Sequence, residues 1–328
     1  MKARFSPIVL CLLPVLLLLP VASSASPGAS YSVVKVPAPS LDGNLTSEES
    51  MQSLGVFLPP SYAEGTRRYP VLYFFTGYYG SFDIAFLSRQ VDQLMAECEF
   101  IVVSINDINA LHGAFGAKSP VVGDWNGFFL NDAIPAVDRQ FRTIAAPEGR
   151  AVCGTSMGGH IALRLGFAHP EVFSIVYADS PGVFAPDGLE AAMPTWDRTF
   201  LEAYGAAYAP DLSLPYPHAG IPTMDDSPAD LAIRAKWQNG FGHVAEMLDA
   251  YLARPGRLSR ICVAVGTRDE YPWIPAGCLY LESLMNARGI PHTFILTEEG
   301  HEISPERFLN GMGRFVARAF ADAEGGGK

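Results

Sequence analysis

Hydrophobic and polar positions fall into two patterns along this chain. Short, mainly apolar runs recur at Val71–Phe75, Phe100–Ile105, Ala151–Gly154, Phe173–Tyr177, Ile261–Val265 and Thr293–Leu296. Runs this short and without polar alternation predict strands covered on both faces. Tyr31–Pro37 and Leu54–Leu58 predict two earlier strands, the second stopped by Pro59-Pro60, because proline has no N–H to give a ladder. Helical spacing covers about Ile84–Glu97, Phe128–Phe141, Met157–His169, Pro275–Arg288 and Glu306–Ala323. Such alternation implies an α/β fold, a mostly parallel central sheet with helices on both faces.

The rhythm fails once, from Pro181 to about Ser259. That stretch holds no clean strand–helix unit and is rich in proline and aromatics, among them Trp196, Tyr204, Tyr208, Tyr216 and Trp237. An insertion of this size ahead of strand Ile261–Val265 predicts a lid, cap or binding wall, against the plainer reading of a surface embellishment.

The amino terminus follows other rules. Lys2 and Arg4 precede an apolar run from Ile8 to Val21, and Ser23-Ser24-Ala25 offers small residues for cleavage. This predicts a secretory signal peptide over residues 1–25 and a secreted or periplasmic product, residues 26–328 forming a single domain. The run is shorter than the about 20 residues of a membrane span, and Pro14 interrupts it, so no stable membrane insertion is expected after cleavage.

Composition adds limits. Nearly half the residues are hydrophobic, enough for one substantial core. Loss of Lys2 and Arg4 with the leader takes the net charge from −11 to −13, which argues against nucleic acid or an anionic membrane as partner. Export would permit disulfides among Cys98, Cys153, Cys262 and Cys278, with the pairing open. Cys153 and Cys262 lie in expected buried strands, where a free thiol serves as a small hydrophobe.

The chemistry centres on Gly154-Thr155-Ser156-Met157-Gly158, a G-x-S-x-G pattern set between a strand and a helix. Glycines permit a sharp turn that projects Ser156, and the starting helix presents free N–H groups to developing negative charge. A serine needs a base, and the base needs an acid to orient it. His301 follows the last strand at the carboxyl edge of the sheet, where such folds place their chemistry. His160, one helical turn past the serine, and His292, at the opposite edge, read as structural. Asp269, just past strand Ile261–Val265, is the expected acid, with Glu270 and Asp179 as rivals. Backbone N–H groups of Met157 and Tyr78 are the expected oxyanion donors, Gly77 allowing close approach. Tyr79, Trp125 and Trp273 are candidate substrate contacts, Trp125 and Trp273 being equally compatible with interior packing. Neither metal nor cofactor is needed.

The chain resembles an esterase family of the α/β-hydrolase superfamily that includes esterase D-like enzymes, feruloyl and acetylxylan esterases, and mycolyltransferases of the antigen 85 type. The similar segments are Val56 to Tyr62, Tyr69 to Tyr73, Gly77 to Ser81, Phe129 to Pro135, Gly154 to Gly159, Gly266 to Asp269, and Gly300-His301. The resemblance implies an α/β-hydrolase fold with nucleophile Ser156, base His301, acid Asp269, and oxyanion donors Tyr78 and Met157. Thr76 departs from it, since many members carry His or Asp there. So does the stretch after His301, whose nearest aromatic residue is Phe308. The function expected is a serine carboxylic-ester hydrolase acting on a small-molecule or glycan-linked ester through an acyl-enzyme. An acyltransferase with the same triad, a peptidase, and a non-catalytic binding protein on this scaffold are the alternatives.

Overall fold

The computed structural model of the chain describes residues 28–325; the expected signal peptide lies outside them. Eight strands form one sheet: β1 (Ser30–Pro37), β2 (Met51–Leu58), β3 (Val71–Phe75), β4 (Ile101–Ile105), β5 (Arg150–Thr155), β6 (Ile175–Asp179), β7 (Arg260–Gly266) and β8 (Thr293–Thr297). Their spatial order is β1-β2-β4-β3-β5-β6-β7-β8. β2 runs antiparallel to both β1 and β4, and every other pairing is parallel. The chain order reverses at β3, which lies between β4 and β5. Clefts open beside the carboxyl ends of strands at such a point.

β3, β4 and β5 are buried at every position, as their unbroken apolar runs require. Alternate residues feed two cores. Val71, Tyr73 and Phe75 face one, while Leu72 and Phe74 face the other. Helices α1 (Ser88–Glu97), α2 (Ile134–Gln140) and α3 (Met157–Ala168) precede the insertion. Inside it lie α4 (Arg198–Tyr208), α5 (Pro228–Trp237) and α6 (Val244–Leu252), and α7 (Trp273–Ala287) and α8 (Arg314–Gly325) complete the chain. Residues Phe128–Ala133 and Phe308–Gly313 form π-helical turns leading into α2 and α8, which helical spacing alone does not distinguish. Among the described residues no helix is long and apolar enough to cross a membrane.

The insertion holds more order than its sequence suggested. Asp197 caps α4 by accepting the Phe200 N–H at 2.8 Å, and Ser227 caps α5 by accepting the Asp230 N–H at 3.2 Å. Most of its aromatics point inward, Tyr216 being exposed. Tyr204 and Trp237 are wholly buried, and the Tyr204 hydroxyl donates to the Trp237 carbonyl at 3.1 Å while accepting the Phe241 N–H at 2.7 Å. The insertion therefore shares the main core and forms a wall beside the sheet edge.

Cys153, Cys262 and Cys278 are buried thiols outside any disulfide. Burial raises all three, pushing Cys262 up to about 12, so they act as small apolar side chains.

Candidate active site

Parallel register aligns the ends of five strands. Phe75 lies opposite Gly154, Thr155 opposite Asp179, and Thr297 opposite Gly266. One residue past the end of β5, Ser156 has φ 56° and ψ −118°, a conformation that costs a non-glycine residue about 1–3 kcal/mol. Neighbours hold it there. Its N–H donates to the Asp179 carbonyl at 2.9 Å, and its carbonyl accepts the His160 N–H at 3.0 Å. A Cβ on Gly158 would collide with the backbone of Phe75 and Thr76, and one on Gly154 with the Gly158 carbonyl. Two glycines thus let β5, α3 and the turn after β3 meet.

That turn passes over the serine. A Cβ on Gly77 would stand 3.3 Å from Ser156 Cβ and 3.9 Å from its Oγ. The turn is fixed by Gly80 N–H to the Gly77 carbonyl at 2.8 Å and by Tyr79 N–H to the His112 carbonyl at 3.2 Å. The Tyr78 hydroxyl donates to the Leu111 carbonyl at 2.8 Å, and its ring stacks on Phe115. Among the described residues the backbone N–H groups of Tyr78 and Met157 have no partner, and both residues line the cleft containing Ser156.

The structure brings Ser156, His301 and Asp269 into one hydrogen-bonded line. Ser156 Oγ lies 2.9 Å from His301 Nε2, and His301 Nδ1 lies 2.8 Å from Asp269 Oδ2. A carboxylate can only accept, so Nδ1 carries the proton and Nε2 is left to accept from the serine. The Asp269 side chain is fully buried, and its other oxygen accepts the Tyr271 N–H at 2.9 Å.

Both rival acids have other tasks. Glu270 accepts the backbone N–H of His301 at 2.8 Å, a bond that holds its carboxyl below the ordinary range. Asp179 is buried against Arg307, whose Nε lies 3.0 Å away and whose Nη2 completes a two-point contact. Burial pushes Asp179 up to about 6 against the pull of that guanidinium. Arg307 Nη1 also donates to the Gly300 carbonyl at 2.8 Å, tying the His301 loop to the end of β6. Sequence reasoning missed Arg307. The available signal was Asp179 itself, since an acid ending a buried strand needs a counter-charge.

The other candidates divide. His160 is buried between the Gly182 carbonyl at 3.1 Å and the Tyr208 hydroxyl at 3.3 Å, and burial lowers its pKa well below the usual value. His292 Nδ1 lies 2.8 Å from the Ile290 carbonyl, away from the cleft. Tyr79 and Trp273 line the cleft. Trp125 does not, which corrects its assignment as a substrate contact: it is fully buried and packs on Phe128 and Phe129. Its large ring fills the interior where the π-turn starts.

The cleft encloses about 520 Å³. The insertion supplies Trp196, Asp197, Phe200 and Phe241 to it, contacts that no motif marked. Phe241 and Trp273 stack at 5.7 Å, and Trp196 meets Phe200 at 4.6 Å. Tyr79 and Tyr271 stand exposed at the mouth. Among the described residues no cluster of His, Cys, Asp and Glu is suited to a metal ion.

An eight-stranded, mostly parallel sheet of this order, with a serine turn after its fifth strand, defines the α/β-hydrolase fold. The family described as "Putative esterase" matches residues 47–287, and the chain belongs to that family. Esterase Rv1288 of Mycobacterium tuberculosis (strain ATCC 25618 / H37Rv) is 28% identical over 282 residues, covering 81% of this chain and 56% of that protein. The chain thus spans about half the length of the curated relatives it matches. Among solved structures, a ferulic acid esterase aligns with TM-score 0.60 at 20% identity over 89% of this chain and 99% of that one. S-formylglutathione hydrolase of Staphylococcus aureus aligns with TM-score 0.60 at 12% identity over 90% and 100%. At such identities these structures speak for the fold alone.

Proposed function

We propose that the chain is a secreted serine carboxylic-ester hydrolase working through an acyl-enzyme. The observation that carries this reading is the continuous line Ser156–His301–Asp269 at 2.9 and 2.8 Å, open to a cleft beside two unpartnered backbone N–H groups. His301 Nε2 takes the hydroxyl proton as Ser156 Oγ attacks the ester carbonyl. The Tyr78 and Met157 N–H groups stabilise the oxyanion, each contributing about 10²–10³ in rate. His301 then protonates the leaving alkoxide, and water attacks the acyl-serine by the reverse proton path. Asp269 keeps the proton on Nδ1 and stabilises the imidazolium.

The stacked rings of the inner cleft favour a planar or compact apolar acyl group. The basic start, apolar run and small residues of the leader support export to the periplasm or the medium. We read residues 26–328 as one domain whose insertion forms a binding wall. Ser156→Ala tests the function. It should lower p-nitrophenyl ester turnover by at least about 10⁴-fold and abolish fluorophosphonate labelling while the circular dichroism spectrum stays unchanged. Retained turnover would refute the assignment. Product analysis with an alcohol acceptor present separates hydrolysis from acyl transfer.

A further inference from the structure

We propose that the cleft sorts esters by charge, favouring those whose alcohol part carries an ammonium group and turning away those that carry a carboxylate. The inference rests on the esterase reading and deepens it.

Among the described residues, and besides the triad, two charged side chains line the cleft, Asp197 and Glu302, with neither lysine nor arginine to oppose them. Among the described residues neither acid has an ion-pair partner. The adjacent Arg198 turns away to Glu202 at 2.6 Å, and Arg307, further along the His301 loop, is committed to Asp179 and Glu299. Asp197 is also fixed in place. One oxygen caps α4 by accepting the Phe200 N–H, and among the described residues the other has no hydrogen-bond partner. Its field reaches the oxyanion turn, where it adds to burial and Tyr79 in raising the Tyr78 phenol.

The acids share the cleft with Tyr79, Trp196, Phe200, Phe241, Tyr271 and Trp273. Aromatic faces attract a cation that carboxylates also attract, and a quaternary ammonium asks for no hydrogen bonds in return. A substrate carboxylate finds no cationic side chain here. The Tyr78 and Met157 N–H groups beside Ser156 are reserved for the reacting carbonyl in the proposed reaction. The chain's formal net charge of −11 acts in the same direction at longer range.

The test uses three acetate esters of similar shape, with trimethylammonioethyl, 3,3-dimethylbutyl and 2-carboxyethyl alcohol parts. Acid release is followed by pH-stat at low salt and at 0.5 M NaCl. The expected order of kcat/KM is cationic, neutral, anionic, with about tenfold or more between the extremes, shrinking in salt. Asp197→Asn with Glu302→Gln should reduce that ratio at least about threefold. Glu64→Gln, which removes an exposed acid outside the cleft, should leave it unchanged. Equal rates for the three esters, a ratio unmoved by the double variant, or an equal shift from Glu64→Gln would overturn the proposal. Failure on the neutral ester together with absent fluorophosphonate labelling would overturn the esterase reading instead.

Discussion

Arg307→Met tests whether the buried guanidinium positions His301, the proposed base. The native side chain is almost fully buried and touches Asp179 through two nitrogens and the Gly300 carbonyl through a third. Methionine keeps much of the volume and none of the charge. Breaking a buried pair from one side costs about 3–5 kcal/mol, because the other charge is stranded. Asp179 limits that cost. It already sits at about 6 with Arg307 beside it, so without the cation it rises further and is protonated near neutral pH. The loss of stability should therefore be smaller at pH 6 than at pH 8. Adding Asp179→Asn to Arg307→Met should restore most of the stability at pH 8, as nothing charged is then left buried.

Activity should not follow. The double variant still lacks the donor to Gly300, the residue before His301, and kcat should fall about 10–100-fold, because small misplacements of a base are costly. KM should change little, since the cleft walls come from other segments. Urea denaturation at the two pH values and steady-state kinetics on a neutral ester give both readouts. A double variant with native stability and native kcat would refute the positioning role; Arg307→Lys should keep part of the kcat.

Three further outcomes are expected. Asp269→Asn should lower kcat by about 10³–10⁴-fold, while Glu270→Gln should cost less than about tenfold, as the second group holds only the backbone of His301. Asp107 is fully buried with one oxygen unpartnered, and burial pushes it up to about 6. Between the unfolded value of about 4 and that value the folded state binds the extra proton, so stability falls as pH rises through this window. Urea midpoints should show a smaller loss for Asp107→Asn between pH 4.5 and 7.5, by up to about 3 kcal/mol. Trp125→Phe should lower the melting temperature with KM within about twofold of native, whereas Trp273→Phe, in the cleft, should raise KM; thermal melts and ester kinetics separate them.

The parts legible in the sequence were those where one local constraint dominates. β3, β4, β5 and the other buried strands announce themselves because a strand covered on both faces needs an unbroken apolar run. The serine turn does so because only glycine tolerates the approach of Phe75 and Thr76. Asp269 and His301 followed from chain order and from the strand ends that carry them. Helices α4–α6 were hidden because their inward aromatics interrupt helical spacing and prolines crowd their ends. Arg307 and the inner cleft stayed invisible for another reason. Their roles depend on residues more than a hundred positions away, such as Asp179 at the end of β6.

The wall that shapes the cleft is also part of the main core, through Tyr204, Trp237, Phe241 and Trp196. Selectivity and foldedness therefore draw on the same side chains. A change that widens the cleft at Phe241 or Trp196 also removes an aromatic contact to Tyr204 that helps hold the insertion to the core. New substrate ranges should thus be reached most readily at the mouth, through exposed Tyr79 and Tyr271, while the inner rings stay fixed until compensating changes arrive together.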